Sequence, residues 1–336
     1  MKYIVPVLLA LFLQSCADHP LELRHLETNI ESSFRGLSVV TDRIAWVSGS
    51  NGWVGMTENG GESWSFTQIS GFEQSSFRSL YGFDNKTALI ANAGSPAHIL
   101  RTEDGGKTWK TVYTNAHSDA FFDGMDFWND NEGVIYGDPI DAKMLLLKTQ
   151  DGGKSWNDIS SSPRLQEGEA SFAASGTGIR CFGQNEIIIS TGGKVSQLWS
   201  SKDKGENWES TSPPILQGGA ATGIFSFAKS SRTLVLVGGD YTIDTLAIKH
   251  NIYSLDEGKS WNTPTAPTRG YRECVEFIAN NVAMATGPGG TDISFDGGKN
   301  WKSFSEDGFH VVRKARKGTR ILLAGSGGKV STLEKR

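Results

Sequence analysis

The sequence has few of the residues that mark redox, metal and nucleic-acid chemistry. It has three cysteines in 336 residues, and no two of them have the spacing of a metal site or a redox motif. Its six histidines are scattered, and it has no phosphate-binding loop, haem-attachment or zinc signature. A formal net charge of −4 gives no electrostatic reason to expect a nucleic-acid partner. We therefore expect no cofactor, no metal and no nucleic acid.

Long hydrophobic runs are also scarce, apart from one at the N-terminus. Lys2 is followed by "IVPVLLALFL" at positions 4–13 and then by "LQSC" at positions 13–16. A membrane span needs about 20 apolar residues, so this shorter run is the core of a signal peptide. No later segment is apolar enough to span a bilayer.

The segment "LQSC" resembles a bacterial lipoprotein processing site. The resemblance implies removal of residues 1–15 and acylation of Cys16. The mature chain would then be an exported lipoprotein of the cell envelope, attached to a membrane through its lipid. A plain secretory signal is the alternative. Which membrane and which leaflet would hold the lipid stays open.

The other two cysteines, Cys181 and Cys274, lie far apart in sequence, each inside an apolar stretch. Buried free thiols are the simpler interpretation. A single disulfide is the alternative in an exported protein.

Glycine and tryptophan, by contrast, are abundant. Forty glycines between short apolar runs favour an all-β protein with many tight turns. Similar segments recur, such as "RTEDGGKTWK" at 101–110 and "KTQDGGKSWN" at 148–157. Six copies share an octet of Ser or Thr, any residue, Asp or Asn, any residue, Gly, two residues and Trp. Their tryptophans lie 40 to 53 residues apart, a period typical of arrays and propellers.

Each octet has the chemistry of a closed hairpin turn. An Asp side chain accepts hydrogen bonds from backbone N–H groups two or three residues ahead, and Gly permits positive φ at the corner. The Trp ring then packs over the turn. The acidic or amide positions of the six copies are Asn59, Asp104, Asp151, Asp203, Asp256 and Asp296.

The octets resemble the Asp-box, or BNR, repeat of sialidase-like β-propellers. The resemblance implies four-stranded antiparallel blades, in which the box joins the third and fourth strands. It also implies that the boxes lie on the face away from the functional site and have no catalytic role. The first glycine of the pair is missing in two copies, where Lys204 and Glu257 replace it.

Short apolar runs predict seven first strands, whereas there are six boxes. The seventh unit, which begins near residue 309, ends before any box. A propeller can complete such a blade with a strand from the other terminus, which removes an exposed sheet edge. Residues 21–32 are placed to do this. We predict seven blades, with six as the alternative. The domains are a signal peptide at 1–15, a linker with the closing strand at 16–32, and the propeller at 33–336.

Equivalent positions near the start of the seven first strands predict a ring at the channel mouth. Reading nine residues before each second strand gives Arg35, Arg78, Asp123, Gly178, Ile224, Arg272 and His310. The fourth and fifth units could slip by a residue or two, which would bring Arg180 toward the ring. The loop 166–178 can add Glu167 and Glu169. Loops between second and third strands add Asn51, Asp138, Asp141, Asp240 and Tyr241.

Three arginines at one mouth would form an anion site, because each guanidinium matches a carboxylate or phosphate as a fork of donors. The alternative is that they form structural ion pairs between blades. The ligand-binding candidates are Arg35, Arg78, Asp123, Glu169, Arg272 and His310.

Over the mature chain, "RGLSVVTDRIAWVSGSNG", "GDPID", "GEASFAASGTG" and "FDGGKNW" are similar to the photosystem II stability and assembly factor family. The resemblance implies a propeller that binds a membrane-protein partner and has no established chemistry. We therefore predict a binder of a protein, peptide or glycan, without fixing which.

A sialidase-like glycosidase is the alternative function. Its arginine triad, tyrosine nucleophile and acidic residues could be supplied by the three ring arginines with Asp123, Glu169 and either Tyr241 or Tyr271. The Arg-Ile-Pro segment typical of bacterial sialidases is absent, however, since Arg35 and Arg78 are followed by Gly-Leu and Ser-Leu.

Overall fold

Seven antiparallel β-sheets form the fold of residues 21–335, the part of the chain that the computed structural model describes. The prediction of an all-β, seven-bladed propeller is confirmed. Between residues 21 and 335 there is no helix of the length and apolarity that crossing a membrane requires. The predicted signal peptide and Cys16 lie outside the described residues.

The blades follow one another along the chain, and their strands are numbered in chain order. Blade 1 holds β2 (Phe34–Val39), β3 (Ala45–Gly49), β4 (Trp53–Thr57) and β5 (Ser65–Gln68). Blade 2 holds β6 (Ser76–Gly82), β7 (Ala88–Ala93), β8 (Ala97–Thr102) and β9 (Lys110–Asn115). Blade 3 holds β10 (Phe122–Phe127), β11 (Gly133–Ile140), β12 (Lys143–Thr149) and β13 (Asn157–Asp158). Blade 4 holds β15 (Ile179–Phe182), β16 (Glu186–Ser190), β18 (Leu198–Ser201) and β19 (Glu209–Thr211).

The remaining blades are less uniform. Blade 5 holds β20 (Thr222–Ser230), β21 (Thr233–Asp240) and β22 (Asn251–Ser254), and two short strands, β14 (Glu169–Ala170) and β17 (Gly192–Gly193), extend its inner edge. Blade 6 holds β23 (Cys274–Ala279), β24 (Val282–Gly287), β25 (Gly290–Ser294) and β26 (Lys302–Ser305). Blade 7 holds β27 (Val311–Lys314), β28 (Ile321–Ala324), β29 (Val330–Lys335) and β1 (Leu21–Leu26).

The outer strand of blade 5 is reduced to one bridge, between Tyr253 and Asn262. Pro264 and Pro267 follow Asn262. Proline has no N–H to donate to a ladder, so a regular fourth strand cannot continue there. Blade 5 therefore departs from the four-stranded pattern.

The ring closes by pairing the two ends of the described chain. β1 runs antiparallel to β29, with Leu21 opposite Lys335 and Leu26 opposite Val330. Leu26 is buried in the core of blade 7. This strand falls within the segment 21–32 considered for the role. It covers the edge of β29, which would otherwise present unpaired backbone groups.

Neighbouring blades are held together by apolar side chains that fill the space between the sheets. Trp46 of blade 1 is buried there. Its Nε1 donates a hydrogen bond of 2.7 Å to the Asp84 carbonyl of blade 2, and its ring meets that of Trp109 edge-on at 6.3 Å. The large aromatic residues that are frequent in the sequence thus serve chiefly to join blades.

The Asp-box turns share two hydrogen bonds in all six copies, as the copy in blade 2 shows. Asp104 Oδ1 accepts from the Thr108 N–H at 2.9 Å, and Thr102 Oγ1 accepts from the Gly106 N–H at 3.1 Å. Trp109 Nε1 donates to the Gly106 carbonyl at 3.2 Å. The backbone N–H that the carboxylate binds most closely belongs to the residue four positions ahead. The sequence analysis expected it two or three positions ahead. Asn59 makes the same contact to Ser63, so the amide substitutes for the carboxylate.

The hydrogen bonds of the Asp-boxes lead us to expect that the fold loses stability in acid. Hydrogen bonds from the residue four positions ahead lower the pKa of Asp104, Asp203 and Asp256 to about 2. Carboxylates with a lowered folded-state pKa stabilise the fold above about pH 4, and this contribution disappears as the pH falls toward 2. We expect the urea midpoint to fall over that window. The change should be smaller in an Asp104→Asn/Asp203→Asn/Asp256→Asn variant, which copies the natural Asn59 into three further boxes. An equal slope in both proteins would contradict this origin.

Candidate functional site

Strand register defines which residues form the ring at the channel mouth. Gly36 pairs with Ser48 and Ser79 with Ala91, and the residue before each, Arg35 or Arg78, is the extra residue of a β-bulge. A bulge re-aims its extra side chain. The same bulge occurs at Asp123 in blade 3 and at Phe225 in blade 5. Counting from the Asp-boxes and the strand pairs, the seven equivalent positions are Arg35, Arg78, Asp123, Thr177, Phe225, Glu273 and His310.

The structure places three of the expected ring residues elsewhere, each by one position. Thr177, Phe225 and Glu273 occupy the places expected for Gly178, Ile224 and Arg272. In blade 5 the reason is a shorter first hairpin, in which Ser230 pairs directly with Thr233. In blades 4 and 6 the second strand is offset by one residue from the expected start. Successive side chains of a strand face opposite sides of the sheet. A shift of one residue in register therefore moves a side chain from the channel to the interior of the blade.

Arg272 is therefore not part of the channel mouth. Its side chain is fully buried inside blade 6. Its Nε donates to Asp292 Oδ2 at 2.7 Å, and its Nη1 donates to the Tyr271 carbonyl at 2.8 Å. Asp292 is buried as well, and Arg269 also contacts it. For Arg272, the structural ion pair is the arrangement observed.

The ring and the adjoining loops enclose an open pocket of about 520 Å³ on the face opposite the Asp-boxes. Its charged lining consists of Arg35, Arg78, Asp123, Asp138 and Glu273. Aromatic side chains and the segment 171–174 complete the wall. The residues that the sequence analysis placed around one mouth are thus partly brought together here.

The segment 171–177 lies across the channel axis. The Ala174 carbonyl accepts from Arg35 of blade 1 at 2.7 Å, and Ser175 Oγ donates to the Glu273 carbonyl of blade 6 at 2.8 Å. Thr177 Oγ1 donates to Ser226 Oγ of blade 5 at 2.7 Å. Because it contacts first strands from several blades, this loop separates the pocket from the rest of the channel.

Glu169 is held away from the pocket. Its Oε1 accepts from Thr191 Oγ1 at 2.6 Å and Trp199 Nε1 at 2.7 Å, while Oε2 accepts from the Gln166 N–H at 2.9 Å. With both oxygens bonded and the side chain buried, Glu169 anchors the loop instead of facing the pocket. The expectation that Glu167 and Glu169 would join the mouth does not match this arrangement, since neither lines the pocket.

Arg35 belongs to a chain of polar contacts. Its Nη1 lies 3.2 Å from Glu273 Oε2, which also lies 2.6 Å from His310 Nδ1. His310 Nε2 contacts Ser33 Oγ at 3.0 Å and Ser326 Oγ at 2.8 Å. These contacts fix the orientation of Arg35 and join blades 1, 6 and 7.

Arg78 has far fewer partners. Its one side-chain hydrogen bond runs from Nε to Ser76 Oγ at 3.4 Å, and it forms no ion pair within 4.0 Å in the described residues. Burial and the nearby Arg35 lower its pKa, against the attraction of Asp123 and Glu273. A half-buried guanidinium whose terminal nitrogens have no protein acceptor is suited to bind an anionic or carbonyl group of a ligand.

Asp123 is fully buried beside Arg78, and neither of its carboxylate oxygens has a hydrogen-bond partner in the protein. Burial and the neighbouring Asp138 raise its pKa well above the ordinary range, and Arg78 offsets this only in part. Burial also raises the pKa of Asp138, whose Oδ1 accepts from the Ser171 N–H at 2.9 Å.

Four aromatic rings form the other wall. Phe172 stacks on Phe225 at 3.9 Å, and Tyr271 meets Phe225 edge-on at 4.8 Å. Tyr241 contacts both phenylalanines and is 53% exposed. Tyr271 is almost completely buried, and burial followed by the nearby Glu273 raises its pKa well above the ordinary range. Both candidate tyrosines thus line the pocket, with very different access to solvent.

The sequence analysis missed several residues that line the pocket, among them Phe172, Phe225 and Glu273. The two phenylalanines have no polar group that would mark them as site residues in the sequence. Glu273 was overlooked because its neighbour Arg272 was assigned to the ring position. The position of each Asp-box fixes the end of the third strand. Counting strand pairs back from the boxes could have located Phe225 and Glu273. Cys181 and Cys274 are free thiols. Residues 21–335 contain no group of three His, Cys, Asp or Glu side chains placed to bind a metal.

A family model described as the photosynthesis system II assembly factor YCF48 matches residues 19–117 and 89–213. No curated protein sequence matches the chain significantly.

Solved propellers resemble the whole structure at low sequence identity. A structure described as "YCF48 bound to D1 peptide" has a TM-score of 0.67 and 17% identity, covering 93% of this chain and 96% of that one. YCF48 from Cyanidioschyzon merolae gives 0.67 and 16%, covering 93% and 98%. A GH74 xyloglucanase from Xanthomonas campestris gives 0.62 and 14%, covering 93% of this chain and 53% of that one. At these identities the likeness concerns the fold.

Proposed function

The chain belongs to the photosynthesis system II assembly factor YCF48 family, and from this membership we propose that it holds a peptide segment of a protein partner in its axial pocket. The observation that carries the proposal is Arg78, whose terminal nitrogens face no protein acceptor within the pocket. A similar propeller described as bound to a D1 peptide supports a peptide over other ligands.

Apolar surface next to the pocket also favours a protein or peptide partner. The loop between β21 and β22 exposes Tyr241, Ile243 and Ile248, each more than half accessible to solvent. Tyr241 lines the pocket itself. An aromatic and aliphatic rim around a charged pocket is typical of binding surfaces, where apolar contacts add affinity to polar recognition.

The sialidase-like alternative has less support. An arginine triad would need Arg272, which is buried against Asp292, and an acidic residue such as Glu169, whose oxygens bind the loop. Two pocket arginines remain, and one of them is bonded to Glu273. A glycan ligand has no specific contact in its favour.

Peptide binding is tested by the Arg78→Met variant. An array of overlapping peptides from envelope proteins is probed with the mature chain, and the best peptides are titrated. We expect about tenfold to hundredfold weaker binding in Arg78→Met, because charge-assisted hydrogen bonds are lost. Thermal stability should change little, since Arg78 has few partners. Arg43→Met is the matched control, as Arg43 lies on the Asp-box face and its side chain makes a single hydrogen bond within residues 21–335, to the Glu58 carbonyl. Undiminished peptide affinity in Arg78→Met would refute the proposal.

We further propose that acylated Cys16 places the pocket away from the membrane. β1 is the outermost strand of blade 7, so Leu21 lies at the Asp-box end of that blade. A chain of five residues spans at most about 18 Å. Lipid on Cys16 would therefore keep the Asp-box edge of blade 7 near the bilayer, with the pocket directed toward partners.

Membrane fractionation tests this anchor. The wild type is expected in the membrane fraction, and Cys16→Ser in the soluble fraction, since one change removes the acylation site. An identical distribution of both proteins would argue for a plain secretory signal. This outcome would leave the peptide-binding proposal intact.

A further inference from the structure

Four buried side-chain oxygens without a hydrogen-bond partner in the protein occur together at one side of the pocket. They are both carboxylate oxygens of Asp123, the hydroxyl of Tyr136 and the hydroxyl of Ser171. Asp123 and Ser171 line the pocket, and Tyr136 is close enough to Asp123 for that carboxylate to influence its ionisation. Buried polar groups are normally paired, because each unpaired one destabilises the fold. A cluster of them beside a pocket indicates a ligand subsite.

Carboxylates outnumber cations around this cluster. Arg78 on β6 is the cation nearest Asp123, yet it bonds neither Asp123 nor Asp138. Asp138 on β11 receives one backbone N–H, from Ser171. The described residues near Asp123 thus offer two carboxylates, and two hydroxyls that can donate or accept, beside one guanidinium whose terminal nitrogens are unbonded.

Charge in the rest of the pocket does not correct this excess. The other arginine, Arg35 on β2, is already bonded to Glu273 and to a backbone carbonyl. If all five charged lining residues were ionised, two positive charges would face three negative ones. Burial raises the pKa of both Asp123 and Asp138, and Arg78 offsets this only in part at Asp123. A ligand that brought a compact cation would balance the site.

We propose that Asp123, Asp138 and Ser171, which line the pocket, form a subsite for a primary ammonium group of the bound peptide, from its N-terminus or a lysine side chain, with the buried hydroxyl of Tyr136 beside Asp123. An ammonium is a compact cation with three N–H donors, which suits a small cluster of oxygen acceptors. A divalent metal fits less well, because the guanidinium of Arg78 repels two positive charges about twice as strongly as one. This inference rests on the proposed peptide binding, and it adds that the ligand carries a cation beside the group held by Arg78.

Three small probes, each with one carboxylate, separate the possibilities by calorimetry on the mature chain. Glycylglycine offers an N-terminal ammonium, Nα-acetyllysine offers a side-chain ammonium, and N-acetylglycylglycine offers neither. We expect at least one amine probe to bind about tenfold or more tightly than the acetylated dipeptide, the effect of a charge-assisted hydrogen bond. Whichever amine is preferred identifies the source of the ammonium.

Variants connect that preference to the cluster. Asp123→Asn should reduce the preference to less than about twofold, since a neutral amide replaces the charged acceptor. Tyr136→Phe should weaken the preference and raise the melting temperature of the unliganded protein, because it removes a buried unpaired hydroxyl. Tyr136→Phe also keeps the test valid if Asp123→Asn fails to fold. Asp126→Asn is the control: Asp126 is a half-buried carboxylate on β10, the strand of Asp123, but it accepts from the Cys181 and Phe127 N–H groups.

Several results would overturn the inference. One is equal affinity of the wild type for all three probes, or no binding of any probe in the millimolar range. Another is an unchanged amine preference in the folded cluster variants. A third is a rise in melting temperature with calcium or magnesium that Asp123→Asn abolishes, which would indicate a metal site. Arg78-dependent peptide binding in the array experiment could stand in each case, so failure of the subsite and failure of the proposed function are distinguishable.

Discussion

Arg272→Met is expected to lose about 3 to 5 kcal/mol of unfolding free energy, because it leaves a buried charge without its main partner. Asp292 is almost fully buried, and Arg272 is its closest cation. Arg269 also contacts Asp292 but is about one-third exposed, so it can offset only part of the loss. Chemical denaturation of the two proteins at neutral pH measures the difference.

The companion variant removes both charges. Replacing a buried ion pair by apolar residues is often nearly neutral, whereas removing one partner is costly. We therefore expect Arg272→Met/Asp292→Leu to recover most of the stability that Arg272→Met loses. If the single variant unfolds at the wild-type denaturant concentration, the pair does not stabilise blade 6 as described. Arg78→Met gives the contrast, since it should leave stability nearly unchanged and weaken binding.

The Asp-box octets made the fold predictable from sequence. Each octet contains its own hydrogen-bonding partners, from Thr102 to Trp109 in blade 2, so its turn forms from local information. Six such turns at a regular period define the blades, and the seventh unit without a box indicates where a strand from the other terminus is needed. A turn of this kind tolerates substitution. Lys204, which stands where other boxes have glycine, adopts a positive φ.

The site was harder to predict because it depends on register and on one long loop. Arg272 and Glu273 are adjacent, and only the pairing of Cys274 with Thr286 decides which of them faces the axis. A missing residue in one hairpin exchanged Ile224 for Phe225 in the same way. The segment 171–177 folds through contacts with distant blades, which no local pattern in "GEASFAASGTG" specifies.

The difference between the Asp-box turns and the candidate site has a physical basis. The acidic or amide side chain of each Asp-box finds its hydrogen-bond partners within the turn, whereas both oxygens of Asp123 and the terminal nitrogens of Arg78 have none in the protein. Unsatisfied buried groups weaken a fold, so a stable scaffold is required to keep them in place. Closing the ring through β1 supplies part of that stability, and it makes the N-terminal strand a sensitive point of the structure.

Deletion of residues 21–26 is therefore expected to cause loss of the cooperative fold or aggregation. The deletion removes a six-residue ladder with β29 and the buried side chain of Leu26. It also exposes the edge of β29, and an unpaired edge strand is a template for association with other chains. Size-exclusion chromatography and thermal unfolding of the mature chain with and without this strand measure the effect. The loss should exceed about 3 kcal/mol, since both burial and backbone pairing disappear.

A matched point variant separates the strand from its surface charges. Arg24 contacts Glu62 and Glu334, but it is about 40% exposed, so Arg24→Met should cost less than about 1 kcal/mol. A synthetic peptide of residues 21–32 added to the deleted protein should restore its melting transition, because the vacant edge of β29 can accept a strand in trans. A deleted protein that stays monomeric and melts like the wild type would show that the ring closes without β1. The pocket would then owe its rigidity to the loop across the channel.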